Sequence, residues 1–182
     1  MIKFIILYNN NIIVRKNKRF EKMKFYIGFC LIIIITVMAY FYIKSQRILT
    51  QALSTNGYIK ANTVEVDVQG DTALVKLTGD CFEFSFYTTS QQVESIISGL
   101  TKQIAFRPNT HDIMQSILER YGIRPIIVKI KKLEEQTYFA DMTLQRGFSY
   151  MTIDIRPSDA VAIAVRMDAP IYVNESLIDK TC

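Results

Sequence analysis

The sequence has few of the side chains that usually build metal and redox centres. Histidine occurs once in 182 residues, at His111, and cysteine occurs three times. This histidine lies next to Asp112 and could be a metal ligand or a general base. Without a second ligand in register it could equally be a structural histidine whose hydrogen bonds are satisfied. Cys30 lies in an apolar run, so Cys81 and Cys182 are the pair available for a disulfide.

Acidic side chains are nearly absent from the first third of the chain. Residues 1–57 hold nine Lys and Arg but a single acid, Glu21, whereas residues 58–182 hold thirteen Lys and Arg and sixteen acids, a net charge of −3. The formal net charge of +5 therefore arises from the N-terminal part. The field of the acidic remainder would not attract a polyanion, so any nucleic-acid contact there needs a local basic patch or a metal ion.

Charge is missing altogether from residues 25–43, FYIGFCLIIIITVMAYFYI. At 1.5 Å per residue, a helix of about 19 residues crosses most of a hydrocarbon core of roughly 30 Å. A cleavable signal peptide is the alternative, but its apolar region is usually about 7–15 residues long and ends at a small-residue cleavage site, which is not evident here. The pattern predicts a retained transmembrane helix.

Basic residues concentrate on one side of this run. Six Lys and Arg residues occur in residues 15–24, whereas only Lys44 and Arg47 follow the run closely. Positive flanks stay on the cytoplasmic side, so we expect a single-pass protein with a cytoplasmic N-terminus and an extracytoplasmic domain. Met23 directly precedes the run and could be the true start. The predicted organisation is a basic N-terminus at 1–24, a transmembrane helix at 25–43, a stalk at 44–57 and a folded domain at 58–182.

The first half of the domain has the pattern of a three-stranded meander followed by a helix. Apolar residues alternate along residues 63–68, 73–77 and 82–86, with Gly-Asp turns between them. Further apolar residues then recur at helical spacing, which predicts a one-sided amphipathic helix. These residues are Val93, Ile96, Ile97, Leu100 and Ile104.

The second half repeats this order of elements. A break at residues 107–110 precedes a helix that ends near Gly122, with Asn109 or Thr110 as its cap. Three strands follow, and then another helix, which suggests a degenerate internal duplication. The strands are predicted at residues 126–133, 137–144 and 148–155. The fold class we predict is α+β, with two βββα-like halves forming a mixed sheet core with helices, preceded by one transmembrane helix.

The stretch DIRPSDAVAIAVRMDAPIYV, residues 154–173, predicts the buried centre of the domain. Pro157 suits the first turn of a helix, and the six residues 160–165 are all apolar, so this helix should be covered on every side. Its polar mouth has two interpretations. Ser158 and Asp159 could cap the helix and complement its dipole, worth roughly 0.5–2 and 0.3–1 kcal/mol. Alternatively, Arg156, Ser158 and Asp159 could line an ion-binding site.

Three stretches together resemble the bifunctional nuclease family, a domain named for RNase and DNase activity. They are RPNTHDIMQSILERYGI, EEQTYFADMTLQRG and DIRPSDAVAIAVRMDAPIYVNES. The resemblance covers most of residues 64–180 and is most specific at residues 110–112, 137–140 and 156–160. The family usually has a Glu-Ala pair at the start of its first long helix, where this chain has Thr89, Ser90 and Gln91, so an expected acid is missing.

The resemblance implies hydrolysis of RNA or DNA phosphodiesters, assisted by a divalent cation such as Mg²⁺ or Mn²⁺ that carboxylates would hold. Asp159 and Asp112 are the candidate metal ligands, and Arg156 and Ser158 the candidate substrate contacts. The candidate catalytic residues are His111, Asp112, Asp159 and Glu119, with Asp154 as a further acid. The alternative is a non-catalytic, membrane-anchored module of the same fold that binds a partner or a small anion. Self-association is compatible with either function.

Overall fold

The computed structural model describes residues 2–181, and the side chains of residues 21–47, 49–51 and 53–181. The chain divides into two compact units, one up to residue 47 and one from residue 48 onward. Helix α1 runs over Ile2–Leu53 and includes all the described residues of the N-terminal unit. Within α1, Glu21–Gln51 is long and apolar enough to cross a membrane by length and composition. The basic side chains of residues 15–19 lie outside the described side chains.

The folded unit consists of nine strands and three α-helices in its described residues. The predicted order of a meander, two helices, a second meander and a buried helix is confirmed. In chain order the elements are β1 (Tyr58–Lys60), β2 (Thr63–Gln69), β3 (Thr72–Gly79), β4 (Phe82–Thr89), α2 (Ser90–Thr101), α3 (Thr110–Arg120), β5 (Arg124–Glu134), β6 (Thr137–Arg146), β7 (Ser149–Ile155), α4 (Pro157–Met167), β8 (Ile171–Asn174) and β9 (Asp179–Lys180).

The strands of the described residues form two sheets rather than one mixed core sheet. The first meander makes an antiparallel sheet in the order β2-β3-β4-β9, and the second makes a five-stranded sheet in the order β1-β8-β5-β6-β7. Only the second is mixed, because β8 runs parallel to β5. One edge strand of each meander pairs with a short segment from elsewhere in the chain, β4 with β9 and β5 with β8. The fold is therefore α+β, but the two halves keep separate sheets.

Helix α4 is the buried centre of the domain, as its sequence predicts. Ala160, Val161, Ala162 and Ala164 are fully buried, and Ile163 is nearly so. The helix contacts α2, α3, β5 and β6. Gly99 lets α2 approach closely, because a Cβ atom there would lie 2.7 Å from Cγ2 of Val165. The close packing of three helices places their polar residues in one region.

The structure corrects two details of the helix predictions. Ser158 does not cap α4: Arg156 is the N-cap residue and Pro157 is the first helical residue, so Ser158 lies buried inside the first turn. Helix α2 ends at Thr101, where Lys102 adopts a left-handed conformation with φ of 54°. Ile104 therefore lies beyond the helix and is exposed.

The structure describes two of the three cysteines. Cys30 is a free thiol, and Cys81 is disulfide-bonded. Its predicted partner Cys182 lies outside the described residues. The backbone N–H of the preceding Thr181 donates to the carbonyl of Cys81 at 3.2 Å, because β9 pairs with the start of β4.

Candidate functional site

A cleft of about 550 Å³ opens where α2, α3 and the start of α4 meet. Its wall is mostly apolar, with side chains such as Met114 and Ile163, but it carries a group of polar and charged residues. This group includes Glu94, Ser95, Arg107, His111, Arg156 and Asp159. A concave, largely apolar surface with a few converging polar groups is typical of ligand and active sites.

The first turn of α3 is held by a capping box that sets the direction of His111. The Asn109 side chain accepts hydrogen bonds from the backbone N–H groups of His111 at 2.9 Å and Asp112 at 3.1 Å. In return, Oδ2 of Asp112 accepts from the N–H of Asn109 at 2.9 Å. Reciprocal bonds of this kind satisfy helix donors that would otherwise lack partners. Asn109, one of the two predicted caps, is therefore the N-cap.

His111 lies between a serine from α2 and an aspartate from α4. Its Nδ1 atom is 2.8 Å from Oγ of Ser95, and its Nε2 atom is 3.3 Å from Oδ1 of Asp159. The second oxygen of Asp159 accepts from Nε of Arg156 at 2.7 Å. The structure thus brings together three of the residues that the sequence proposed, His111, Arg156 and Asp159.

Arg166 is a buried cation behind this group, with a side chain only 2% exposed. Its Nε donates to Oδ1 of Asp112 at 2.9 Å, and Nη2 donates to Oγ of Ser95 at 3.1 Å. Its Nη1 donates to the backbone carbonyls of Ser95 and Ala162 at 2.7 and 2.8 Å. A single arginine of α4 therefore joins α2 and α3 to the central helix.

The hydrogen-bonding partners of His111 favour one tautomer of its neutral ring. Arginine has donors only, so Oγ of Ser95 is the acceptor in its bond with Arg166. The carboxylate of Asp159 can only accept, so in a neutral ring it favours the proton on Nε2, and Nδ1 then accepts the hydroxyl proton of Ser95. The ring proton lies on Nε2 and is donated to the carboxylate of Asp159. The network therefore favours a neutral His111 in one tautomer.

The electrostatic surroundings favour the same neutral form. Burial is the largest influence and lowers the pKa of His111 below its ordinary value of 6.5, and the positive charge of Arg166 acts in the same direction. The negative charge of Asp159 raises the pKa but does not outweigh burial. The contact between His111 and Asp159 is therefore a hydrogen bond from a neutral ring near pH 7, and not an ion pair.

The remaining predicted site residues lie elsewhere. Asp112 is 7% exposed and faces Arg166, away from the cleft, with both oxygens in hydrogen bonds. Glu119 lies about 12 Å from His111 along α3, at 1.5 Å per residue, and its carboxylate accepts a hydrogen bond from the side chain of Gln115. Ser158 lines a different cavity of about 440 Å³. Asp154 is exposed on β7.

The residues of the cleft do not fit a divalent cation by themselves. Mg²⁺ and Mn²⁺ prefer several oxygen ligands, usually including more than one carboxylate. Asp112 and Asp159 face different partners, and the described part of the chain contains no group of three His, Cys, Asp or Glu side chains that could hold a metal ion. The two aspartates predicted to bind a metal therefore each bind other side chains, and the proposed function uses no step through a metal.

The sequence analysis did not single out four residues of this site, Glu94, Ser95, Arg107 and Arg166. Arg166 carried a signal, because a charged residue in an otherwise apolar buried helix requires a buried partner. Glu94 also lines the cleft, four residues beyond Ser90, near the position where an acid was expected. Ser95 had no local signal, since its partners lie on other helices.

Comparison with known proteins identifies the class to which this fold and cleft belong. The family model of the bifunctional nuclease domain matches residues 84–182, more than half of the chain. The chain therefore belongs to the bifunctional nuclease domain family, as its sequence motifs suggested.

Individual relatives match over shorter segments. An uncharacterised protein of Mycobacterium tuberculosis strain H37Rv is 39% identical over 72 residues, which are 40% of this chain and 42% of that protein. Bifunctional nuclease 1 of Arabidopsis thaliana is 29% identical over 85 residues, 45% of this chain and 26% of the plant protein. Bifunctional nuclease 2 of Oryza sativa subsp. japonica is 34% identical over 74 residues, 39% of this chain and 23% of the rice protein. The chain thus spans less than half the length of these relatives.

Proposed function

We propose that the domain is a nuclease that hydrolyses phosphodiester bonds of RNA or DNA in the cleft around His111. The observation that carries this proposal is the hydrogen-bonded series Ser95, His111 and Asp159, which holds a neutral histidine at the wall of the cleft. Family membership and the names of the plant relatives support the substrate class. All three polar groups belong to the region that the family model matches.

Two arginines at the cleft provide contacts for a phosphate. Arg156 binds Asp159 through Nε, and its side chain is 72% exposed, so its terminal nitrogens are accessible to a ligand. Arg107 is exposed and lines the same cleft. Guanidinium groups match phosphate oxygens in geometry and charge. The pair supplies the local basic patch that a domain with net negative charge needs to bind a polyanion.

His111 serves as the general base of this site. A lowered pKa keeps the ring neutral at neutral pH, so that one of its two nitrogens is free to accept a proton. The carboxylate of Asp159 orients the ring and stabilises the positive charge that forms when Nδ1 accepts a proton. Proton transfer of this kind contributes about 10²–10⁴-fold to a reaction rate.

The test measures cleavage of labelled single-stranded and duplex RNA and DNA by the full chain in detergent micelles. Asp159→Asn retains the shape of the side chain but loses its charge, so cleavage should fall at least about tenfold, or about 1.4 kcal/mol of barrier. Asp168→Asn, at the opposite end of the same helix, should leave cleavage unchanged. Parallel reactions with Mg²⁺, Mn²⁺ or EDTA test the metal dependence that the family resemblance implied and that the cleft residues do not support by themselves.

The outcomes separate the two functions considered from the sequence. Equal cleavage by Asp159→Asn and the unmodified chain would remove Asp159 from the mechanism. A lack of cleavage by the unmodified chain on all four substrates, with and without metal, would overturn the nuclease proposal. It would favour the anchored binding module.

We also propose that α1 anchors the domain to a membrane in a single pass, with the N-terminus in the cytoplasm and the domain outside. The exposed apolar side chains of Glu21–Gln51 and the excess of basic residues before them support this topology. Protease added to intact cells that express the full chain should digest the domain and leave a short protected fragment. If the domain resists digestion until the membrane is permeabilised, the orientation is the reverse.

A further inference from the structure

We propose that Ser95 is the nucleophile of this site and that the reaction passes through a covalent phosphoserine. This inference rests on the proposed function and identifies the group on which His111 acts. In the tautomer that Asp159 favours, Nδ1 is the unprotonated nitrogen of His111, and it accepts the hydroxyl proton of Ser95. A base at His111 therefore acts first on the Ser95 hydroxyl.

The orientation of the Ser95 hydroxyl differs from that of ordinary helical hydroxyls. Serine and threonine within helices commonly donate to a carbonyl about one turn earlier. Ser116 in α3 and Thr101 in α2 do so, to the carbonyls of Asp112 and Ile97, both at 2.9 Å. The Ser95 hydroxyl instead makes its hydrogen bonds with other helices, to Nδ1 of His111 and Nη2 of Arg166. Its hydroxyl is thus paired with a base rather than with its own helix.

Arg166 adds a cation beside the same oxygen. Its Nη2 donates to Oγ of Ser95 at 3.1 Å, and this donor would strengthen as negative charge develops on Oγ during attack. Asp112 binds the guanidinium at Nε, on the other side of Arg166. A serine with a base at one side and a buried cation at the other has the surroundings of an activated nucleophile.

The three residues Ser95, His111 and Asp159 have the order of roles found in serine hydrolases, a nucleophile, a base and a group that orients the base. The ring is used in the opposite sense, since Nδ1 faces the serine and Nε2 faces the aspartate. Roles and geometry define such a site, whatever the fold. Ser95 is 5% exposed and lines the cleft, so it can be reached from the cleft while most solvent is excluded.

The reaction balances with water as the only second reactant. In the first step the Ser95 proton passes to Nδ1 of His111, an Oγ–P bond forms, and the P–O bond to one sugar breaks. The departing sugar oxygen takes the proton from His111. In the second step a water gives a proton to His111 and attacks phosphorus, the Oγ–P bond breaks, and Ser95 regains its proton. The products are one strand with a free hydroxyl and one with a terminal phosphate monoester.

A fluorophosphonate probe tests the nucleophile independently of nucleic-acid cleavage, because it reacts with activated serines and releases fluoride. We expect the full chain in detergent micelles to gain one adduct, located at Ser95 by peptide mass spectrometry. His111→Gln should slow labelling at least about tenfold, because it removes the base. Ser116→Ala, which alters a hydroxyl of the neighbouring helix, should label at the same rate as the unmodified chain.

A second measurement distinguishes a nucleophile from a residue that only positions His111. Acid-quenched reactions with internally ³²P-labelled oligonucleotide should trap radioactive protein in the unmodified chain and none in Ser95→Ala. Cleavage that continues with no fluorophosphonate adduct and no trapped protein would overturn the inference while the nuclease stands. An adduct at Ser95 with no cleavage of any nucleic acid would support the nucleophile and overturn the substrate class.

Discussion

Replacing Asp112 with asparagine should destabilise the domain far more than a typical change of one charge. The Asp112 carboxylate is 7% exposed and receives Nε of Arg166 at 2.9 Å, while the arginine side chain is 2% exposed. Removing the anion leaves a buried cation without its counter-charge, and breaking one side of such a pair costs about 3–5 kcal/mol. Domains are stable by about 5–15 kcal/mol, so this variant should lose a large part of its stability.

An exposed ion pair at the end of α4, the helix that carries Arg166, provides the matched control. Asp168 contacts Lys102 at 2.9 Å but its side chain is 84% exposed, and pairs of this kind contribute about 0–1 kcal/mol. Asp168→Asn is conformationally mild as well, because asparagine tolerates the φ of 54° found at this position. The two variants therefore make the same chemical change in opposite environments.

The assay is urea unfolding of the full chain in detergent micelles, with the folded fraction read by pulse proteolysis at each concentration. The midpoint should fall strongly in Asp112→Asn and little in Asp168→Asn. Adding Arg166→Met to Asp112→Asn should recover part of the loss, because no buried charge then lacks a partner. If the free energies of unfolding of the two aspartate variants differ by less than about 0.5 kcal/mol, Arg166 is hydrated or binds another partner in Asp112→Asn, and the reasoning is wrong.

Two further predictions concern the same helices. Because burial lowers the pKa of His111 below 6.5, the unfolded chain binds this proton first, so stability should fall as pH drops from 6.5 to the folded-state pKa and then level off. In urea titrations at several pH values, His111→Gln should reduce the dependence of the free energy of unfolding on pH. An unchanged dependence would mean that other groups cause it. Gly99→Ala should cost about 1–3 kcal/mol in the same assay, because its Cβ would lie 2.7 Å from Val165 Cγ2 and 2.8 Å from Arg166 Nη1. A cost below about 0.5 kcal/mol would show that α2 can move away from α4.

The strands, their turns and the buried helix could be predicted from the sequence because their signals are local. Alternating apolar residues predicted the meander that β2, β3 and β4 form. Gly70 and Gly147, with φ of 66° and 55°, occupy turns that need a left-handed backbone. The apolar run of α4 predicted a helix covered on every side, because no arrangement could expose it to water without a large loss of free energy.

The end of α2 was decided by contacts that the local pattern does not contain. Helical spacing predicted that Ile104 would continue the helix, but Lys102 turns the chain out of it. The Lys102 side chain donates to the carbonyls of Val165 and Arg166 at 2.9 and 3.0 Å, at the end of α4. The helix therefore ends where it meets another element that lies more than sixty residues later in the chain.

The candidate site could likewise be predicted from the sequence only in part. The motifs of the second half identified His111, Asp159 and Arg156 as polar residues at helix mouths, and these do meet in the cleft. The sequence could not decide that Asp159 rather than Asp112 faces the histidine, because the choice depends on where Arg166 is buried. Ser95 lies 16 residues from His111 and 71 from Arg166, so only the packing of three helices brings its hydroxyl between a base and a cation.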